Sequence, residues 1–116
     1  MGAPGPTAPA AIDVSRLAQN PGSLWGRSAQ EIAEVFRAAG YSATVRQSTL
    51  GSQLAAIVEI RGHSQIAQIQ VHPGGGRHGG AYIKISTNKG IVKVVDPRTY
   101  KPSPGERARI VPRSND

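Results

Sequence analysis

One stretch of the chain concentrates groups that can move protons around a phosphate: His72-Pro-Gly-Gly-Gly-Arg77-His78-Gly-Gly-Ala-Tyr82-Ile-Lys84-Ile-Ser86-Thr87. Imidazole titrates near neutrality, so His72 and His78 suit general base and general acid roles. Arg77 carries a permanent, fork-shaped cation matched to phosphate oxygens. Five of the fourteen glycines lie in residues 73–80. Glycine lets the main chain approach a ligand closely, so amides here, those of Gly75 and Gly76 among them, can cradle an anion. Cleaving an RNA phosphodiester needs a base for the 2′-hydroxyl, an acid for the 5′-oxygen and positive charge or donors for the phosphorane. His72, His78, Lys84 and Arg77 can fill those roles with no metal and no other cofactor. The segment is poor in the carboxylates that a two-metal site requires, and the phosphate-loop pattern Gly-x-x-x-x-Gly-Lys-Ser/Thr is absent. A zinc site from His63, His72 and His78 matches no familiar ligand spacing, and His63, set in Gly62-His63-Ser64, reads as a turn residue.

Two strands must present these side chains. Alternation over 81–87 sends Ala81, Ile83 and Ile85 to a core and leaves Tyr82, Lys84 and Ser86 on the other face. Over 66–72 it sends Ala67, Ile69 and Val71 inward and leaves Gln68, Gln70 and His72 outward. Either hydroxyl of Ser86 and Thr87 could bind a phosphate oxygen, or simply end a strand. A merely solvated sheet face and a flexible hairpin loop are the bland alternatives. Tyr100 packs or stacks on a base, and Asp96 braces the turn that precedes it. Arg77, Tyr82, Gly75, Gly76 and Tyr100 are the expected substrate contacts; His72, His78, Lys84, Ser86 and Thr87 are the expected reacting groups.

The remaining pattern supplies a scaffold. Ser28-Ala-Gln-Glu31 is a capping box, followed by Ile32, Val35, Phe36 and Ala39 on one helical face and by Gly40 as a stop. Trp25 fills core beside the helix start. A weaker helix spans 13–18 and ends at Asn20-Pro21-Gly22. After Gly40 the period becomes alternating, with strands expected at 42–47, 55–61, 66–72, 82–87, 91–95 and 108–111. The expected class is therefore α+β, an N-terminal helix or helices packed on a twisted antiparallel β-sheet. Residues 1–22 read as a Pro/Gly/Ala-rich flexible linker with a short helix, of the kind that joins a module to a longer polypeptide, and 23–116 as the domain.

Charge narrows the partners. Fourteen Lys and Arg face seven Asp and Glu, and the excess lies from Arg37 onward, where only Glu59, Asp96, Glu106 and Asp116 are acidic. A polyanion is the natural ligand: nucleic acid, an acidic protein or an anionic surface. With no cysteine, disulfides, thiolate metal sites and thiol nucleophiles are excluded. No apolar run reaches membrane-spanning length, and no signal-peptide pattern is present.

His-Pro-Gly-Gly-Gly-Arg-His-Gly-Gly, Tyr-x-Lys-x-Ser-Thr and Lys-Val-Val-Asp-Pro, set after a helix and within a sheet, resemble the C-terminal toxin domains of bacterial contact-dependent and other polymorphic toxin systems. The likeness is to the barnase/EndoU/colicin/RelE-like (BECR) group of ribonucleases, and it covers about residues 23–112. The resemblance implies a toxin ribonuclease domain that cuts RNA, often tRNA, without metal and leaves a 2′,3′-cyclic phosphate. It also implies a monomer that forms a heterodimer with a cognate acidic immunity protein. Such a domain is secreted or delivered by a producer cell and acts in the target-cell cytoplasm. The EndoU-like pattern maps onto His72, His78 and Lys84, with Ser86 or Thr87 as phosphate-binding hydroxyl. The two histidines lie only six residues apart, which leaves open a colicin-like site built on Lys84, Arg77 and hydroxyls. Two readings without catalysis stand beside it: a basic nucleic-acid-binding module, and a sheet whose basic face docks an acidic partner.

Overall fold

The computed structural model describes residues 12–48, 55–73, 80–102 and 104–114. Arg77, His78, Gly75 and Gly76 lie outside them, as does the linker read at 1–11. Helix α1 spans Ala29–Ala38. The Ser28 hydroxyl accepts from the Glu31 amide at 3.1 Å, and the Glu31 carboxylate accepts from the Ser28 amide at 2.9 Å, so two donors orphaned at the helix start are satisfied reciprocally. Gly40, at φ 98°, ends it with paired bonds, Gly40 N–H to Arg37 carbonyl and Tyr41 N–H to Phe36 carbonyl. Positive φ explains the glycine there. Ile32, Ala33 and Phe36 are buried against a six-stranded sheet.

The strands are β1 Ser42–Gln47, β2 Ala56–Arg61, β3 Ile66–His72, β4 Tyr82–Thr87, β5 Gly90–Val95 and β6 Arg109–Pro112. They lie side by side in chain order. The first four pairings are antiparallel, but β6 runs parallel to β5. The α+β class holds, and the wholly antiparallel sheet is corrected to a mixed one. Parallel neighbours need a long crossover, and the residues between β5 and β6 provide it. Alternation carries no information on strand direction, so the pattern alone could not reveal this.

The core lies between α1 and one sheet face. Leu24, Ile32, Phe36, Val58, Ile69 and Val94 are fully enclosed. A register shift between Ile66 and Gln68 turns Ile66 inward along with Ile69 and leaves Ala67 exposed. The expected inward position of Ala67 is thereby reversed, since a bulge inserts one residue into the alternation.

Two short 3-10 segments precede α1, Val14–Gln19 and Pro21–Leu24. Val14 and Leu17 are buried at a spacing of three, the 3-10 period, where an α-helix was expected. Asn20-Pro21-Gly22 ends the first segment as expected, with Asn20 as its C-cap, and Pro21 then begins the second, as its fixed φ favours. Val14 and Leu17 of this stretch join the core, while Ser15, Arg16, Gln19 and Asn20 stay exposed. Gly22 is required by proximity: a Cβ there would sit 2.8 Å from the Pro112 carbonyl oxygen. Among the described residues, no helix is long and apolar enough to cross a membrane.

Candidate functional site

Register brings the polar residues of β3 and β4 side by side on the sheet face away from α1. Gln68 lies opposite Ser86, Gln70 opposite Lys84 and His72 opposite Tyr82. The His72 and Tyr82 rings stack with centroids 4.3 Å apart and planes 11° from parallel. The expected grouping of His72, Tyr82, Lys84 and Ser86 on one face is present.

A chain of hydrogen bonds orients the imidazole. Arg46 donates to a Glu59 carboxylate oxygen at 2.9 Å, and the Gln68 amide donates to that oxygen at 3.1 Å. Gln68 must use its NH₂ toward a carboxylate, which leaves its carbonyl to accept from the Gln70 NH₂. Gln70 then turns its own carbonyl to His72 Nε2, 3.0 Å away. A carbonyl only accepts, so Nε2 carries a proton, and in the neutral ring the lone pair is on Nδ1. The polarity of the whole chain is set by Glu59.

Tyr82 stands between His72 and a second cluster. The Lys93 ammonium lies 5.0 Å from the Tyr82 ring centroid and bonds Glu106 at 2.9 Å and the Tyr100 hydroxyl at 3.3 Å. Tyr100 donates to the same Glu106 carboxylate at 3.0 Å and meets the Tyr82 ring edge-on. Burial pushes the Tyr82 phenol above its ordinary pKa, Lys93 pulling against it, so Tyr82 is a hydrogen-bond donor at neutral pH and not a base. Burial also works against the Lys93 ammonium, but its bonds to Glu106 and Tyr100 outweigh that and hold its pKa high. Glu106 is held low, first by Lys93.

Lys84 faces Gln70 on one side and Lys93 on the other. With Lys93 neutralised by Glu106, Lys84 is the half-buried cation of this face that has no carboxylate partner among the described residues. An anion arriving beside His72 would meet it directly.

Thr87 and Tyr100 do not join this group as expected. Alternation sends Thr87 to the opposite face from Ser86, and its hydroxyl donates to the Gly90 carbonyl at 2.7 Å and accepts from the Lys89 amide at 3.1 Å. It holds the β4–β5 turn. Tyr100 is only 5% exposed, so it packs edge-on beside Tyr82 and offers no open ring to a base. Trp25 is half-buried against the core and lies beside a cleft of about 220 Å³ shared with His72, Pro73 and Tyr82.

His63 is a structural clamp. Its Nδ1 accepts from the Gln65 and Ile66 amides, and its Nε2 donates to the Val14 carbonyl at 2.6 Å, tying the β2–β3 turn to the first 3-10 segment. No three His, Asp or Glu residues converge as a metal-binding group among the described residues.

The sequence reading missed Glu59, Lys93 and Glu106. Lys93 sits between Ile91 and Val95 on its face, which hides any polar stripe, and Glu106 lies in irregular chain. Glu59 had one signal: its place on β2 keeps it in phase with the outward residues of β3. No protein-family model matches the chain, and no curated protein or solved structure matches it.

Proposed function

We propose that this chain is a metal-independent endoribonuclease toxin domain of the BECR type. The observation that carries the reading is the grouping of His72, Tyr82, Lys84 and Ser86 on one sheet face, with the His72 tautomer set through Gln70, Gln68 and Glu59. In the reaction His72 Nδ1 removes the 2′-hydroxyl proton, and the 2′-oxygen attacks phosphorus. Lys84 stabilises the charge that grows on the phosphorane. The 5′-oxygen leaves with a proton from a second acid, and His78 is the group assigned to that role by its position in the sequence. The product is a 2′,3′-cyclic phosphate. RNA, with tRNA as the target, a cognate acidic immunity protein and action in the cytoplasm of a target cell belong to the same proposal, which draws on the family resemblance.

The test is incubation with total bacterial RNA in EDTA, followed by sequencing of the ends. Cleavage with cyclic phosphate termini is expected. His72→Ala and Lys84→Ala are each expected to lose about 100-fold or more, the usual worth of a positioned base or charge-stabilising group, with the fold retained. Full activity in both variants overturns the proposal. A second reading, a non-catalytic nucleic-acid-binding module, is favoured by the same unneutralised Lys84: it predicts salt-sensitive binding and no strand breaks.

A further inference from the structure

At the other end of β4 lies a cleft of about 320 Å³, away from His72 and Lys84. It is lined by Ala18 and Gln19 of the first 3-10 segment, Gln65 before β3, the turn residues Thr87 to Gly90, Ile91 and Val92 of β5, and Arg109 of β6. Arg109 pairs with Val92, which places it on the α1 side of the sheet. Neither Lys89 nor Arg109 has a carboxylate partner among the described residues, and no carboxylate lines the cleft. The side-chain amides of Gln19, Gln65 and Asn88 make no hydrogen bond among the described residues. Ala18 and Val92 give it an apolar floor.

We infer that this cleft binds one nucleotide of a single-stranded RNA, as a contact remote from the candidate catalytic face. Each part of a nucleotide finds its chemistry there. Phosphate oxygens suit Lys89 and Arg109, the donor and acceptor edge of a base suits the three amides, and ribose or the base plane suits the apolar floor. A nucleotide engages the two cations, the three amides and the floor within one compact unit, whereas an acidic peptide's carboxylates engage the cations alone. Five residue steps separate Tyr82 from Thr87 along β4, about 17 Å at strand rise. Because Arg109 and the His72 face lie on opposite sides of the sheet, a strand of RNA that passes around the sheet end would reach both sites, whereas a dinucleotide cannot. The inference rests on the proposed function only in making that RNA the substrate; the binding itself does not depend on catalysis.

The experiment measures binding of a 2′-O-methyl oligoribonucleotide, which lacks the 2′ nucleophile, to the wild type and to a Lys89→Ala/Arg109→Ala variant over a range of salt. Both side chains are exposed, so the melting temperature should not change. Affinity at low salt is expected to fall about tenfold, and the slope of log K against log salt to become shallower by about 0.7 for each phosphate that the variant leaves unneutralised. Lys89→Arg/Arg109→Lys should restore both, and Arg37→Gln on α1, a change in net charge elsewhere, should reproduce neither. In cleavage assays the Ala variant should raise KM for long RNA and leave a dinucleotide substrate unaffected. Unchanged affinity and slope in the Ala variant overturn the cleft, whatever else it binds. Loss of binding in a protein that cuts no RNA would instead sustain the cleft and overturn the ribonuclease.

Discussion

The tautomer of His72 is fixed by a carboxylate three side chains away, and this gives a prediction at the scale of single atoms. The order Glu59, Gln68, Gln70, His72 admits one donor direction, ending with Nε2–H toward the Gln70 carbonyl. Nitrogen-15 NMR of the neutral ring should report Nε2 as protonated, and Gln70→Leu should mix the tautomers. Under the proposed ribonuclease reaction, His72→Ala should forfeit the whole contribution of a general base, about 100- to 10,000-fold. Gln70→Leu should forfeit only part of it, because the ring still stacks on Tyr82. A neutral ring protonated on Nδ1 in the wild type would refute the assignment. At this scale the outward set of β3 and β4 was legible, because His72, Tyr82, Lys84 and Ser86 follow strict alternation. Thr87 was not: its role comes from the turn geometry that closes on Gly90. Glu59, Lys93 and Glu106 act through partners distant in sequence, so only the register could reveal them. His78, Arg77, Gly75 and Gly76 lie outside the described residues.

Elements stand or fall by a few contacts, and two of these make separable predictions. The Ser28 cap and the Phe36 side chain both serve α1, but in different ways. Ser28→Ala removes one acceptor at an exposed helix start and should cost about 1 kcal/mol. Phe36→Ala opens a cavity at a fully buried site and should cost about 3 to 5 kcal/mol; urea denaturation distinguishes the two. The turn after β5 answers to pH. Asp96 accepts from the Arg98 backbone and guanidinium, with Arg113 nearby. The Arg98 bonds, foremost among these influences, hold its pKa at about 2, against an ordinary 3.8. A carboxyl lowered on folding stabilises fully above its unfolded pKa and loses that contribution as pH falls through the folded value. The urea midpoint should therefore decline between about pH 4 and pH 2, and Asp96→Asn should flatten that decline. An identical acid limb in the variant would show that other carboxyls govern it. The strand spans and the capped helix were legible because burial imposes period on sequence. The bulge at Ile66 and Gln68 and the 3-10 segments were not, since each departs from the period by one residue.

The crossover that carries the chain from β5 to a parallel β6 meets β5 at a pair of opposite charges seated on the site face. Lys93 and Glu106 have side chains only 12% and 15% exposed. They draw Tyr100 and the irregular chain after Asp96 down onto β5, beside Tyr82. Such a pair need not be a net source of stability, because the two desolvation costs offset the attraction. Removing one partner is another matter, since it strands a charge where water is scarce. Glu106→Ala should therefore destabilise the protein by about 3 kcal/mol. The double variant Lys93→Met/Glu106→Leu should recover most of that loss, because neither charge remains and the volume is filled. The measurement is a double-substitution cycle completed with Lys93→Met and Glu106→Leu, read by urea unfolding. Additive losses would mean that the two charges do not act as a pair. Recovery of stability would also separate the pair's roles in folding and function: Tyr82 loses the cation near its ring, so a stable double variant with impaired RNA cleavage would place the ion pair's value in holding the His72–Tyr82 stack rather than in holding the fold.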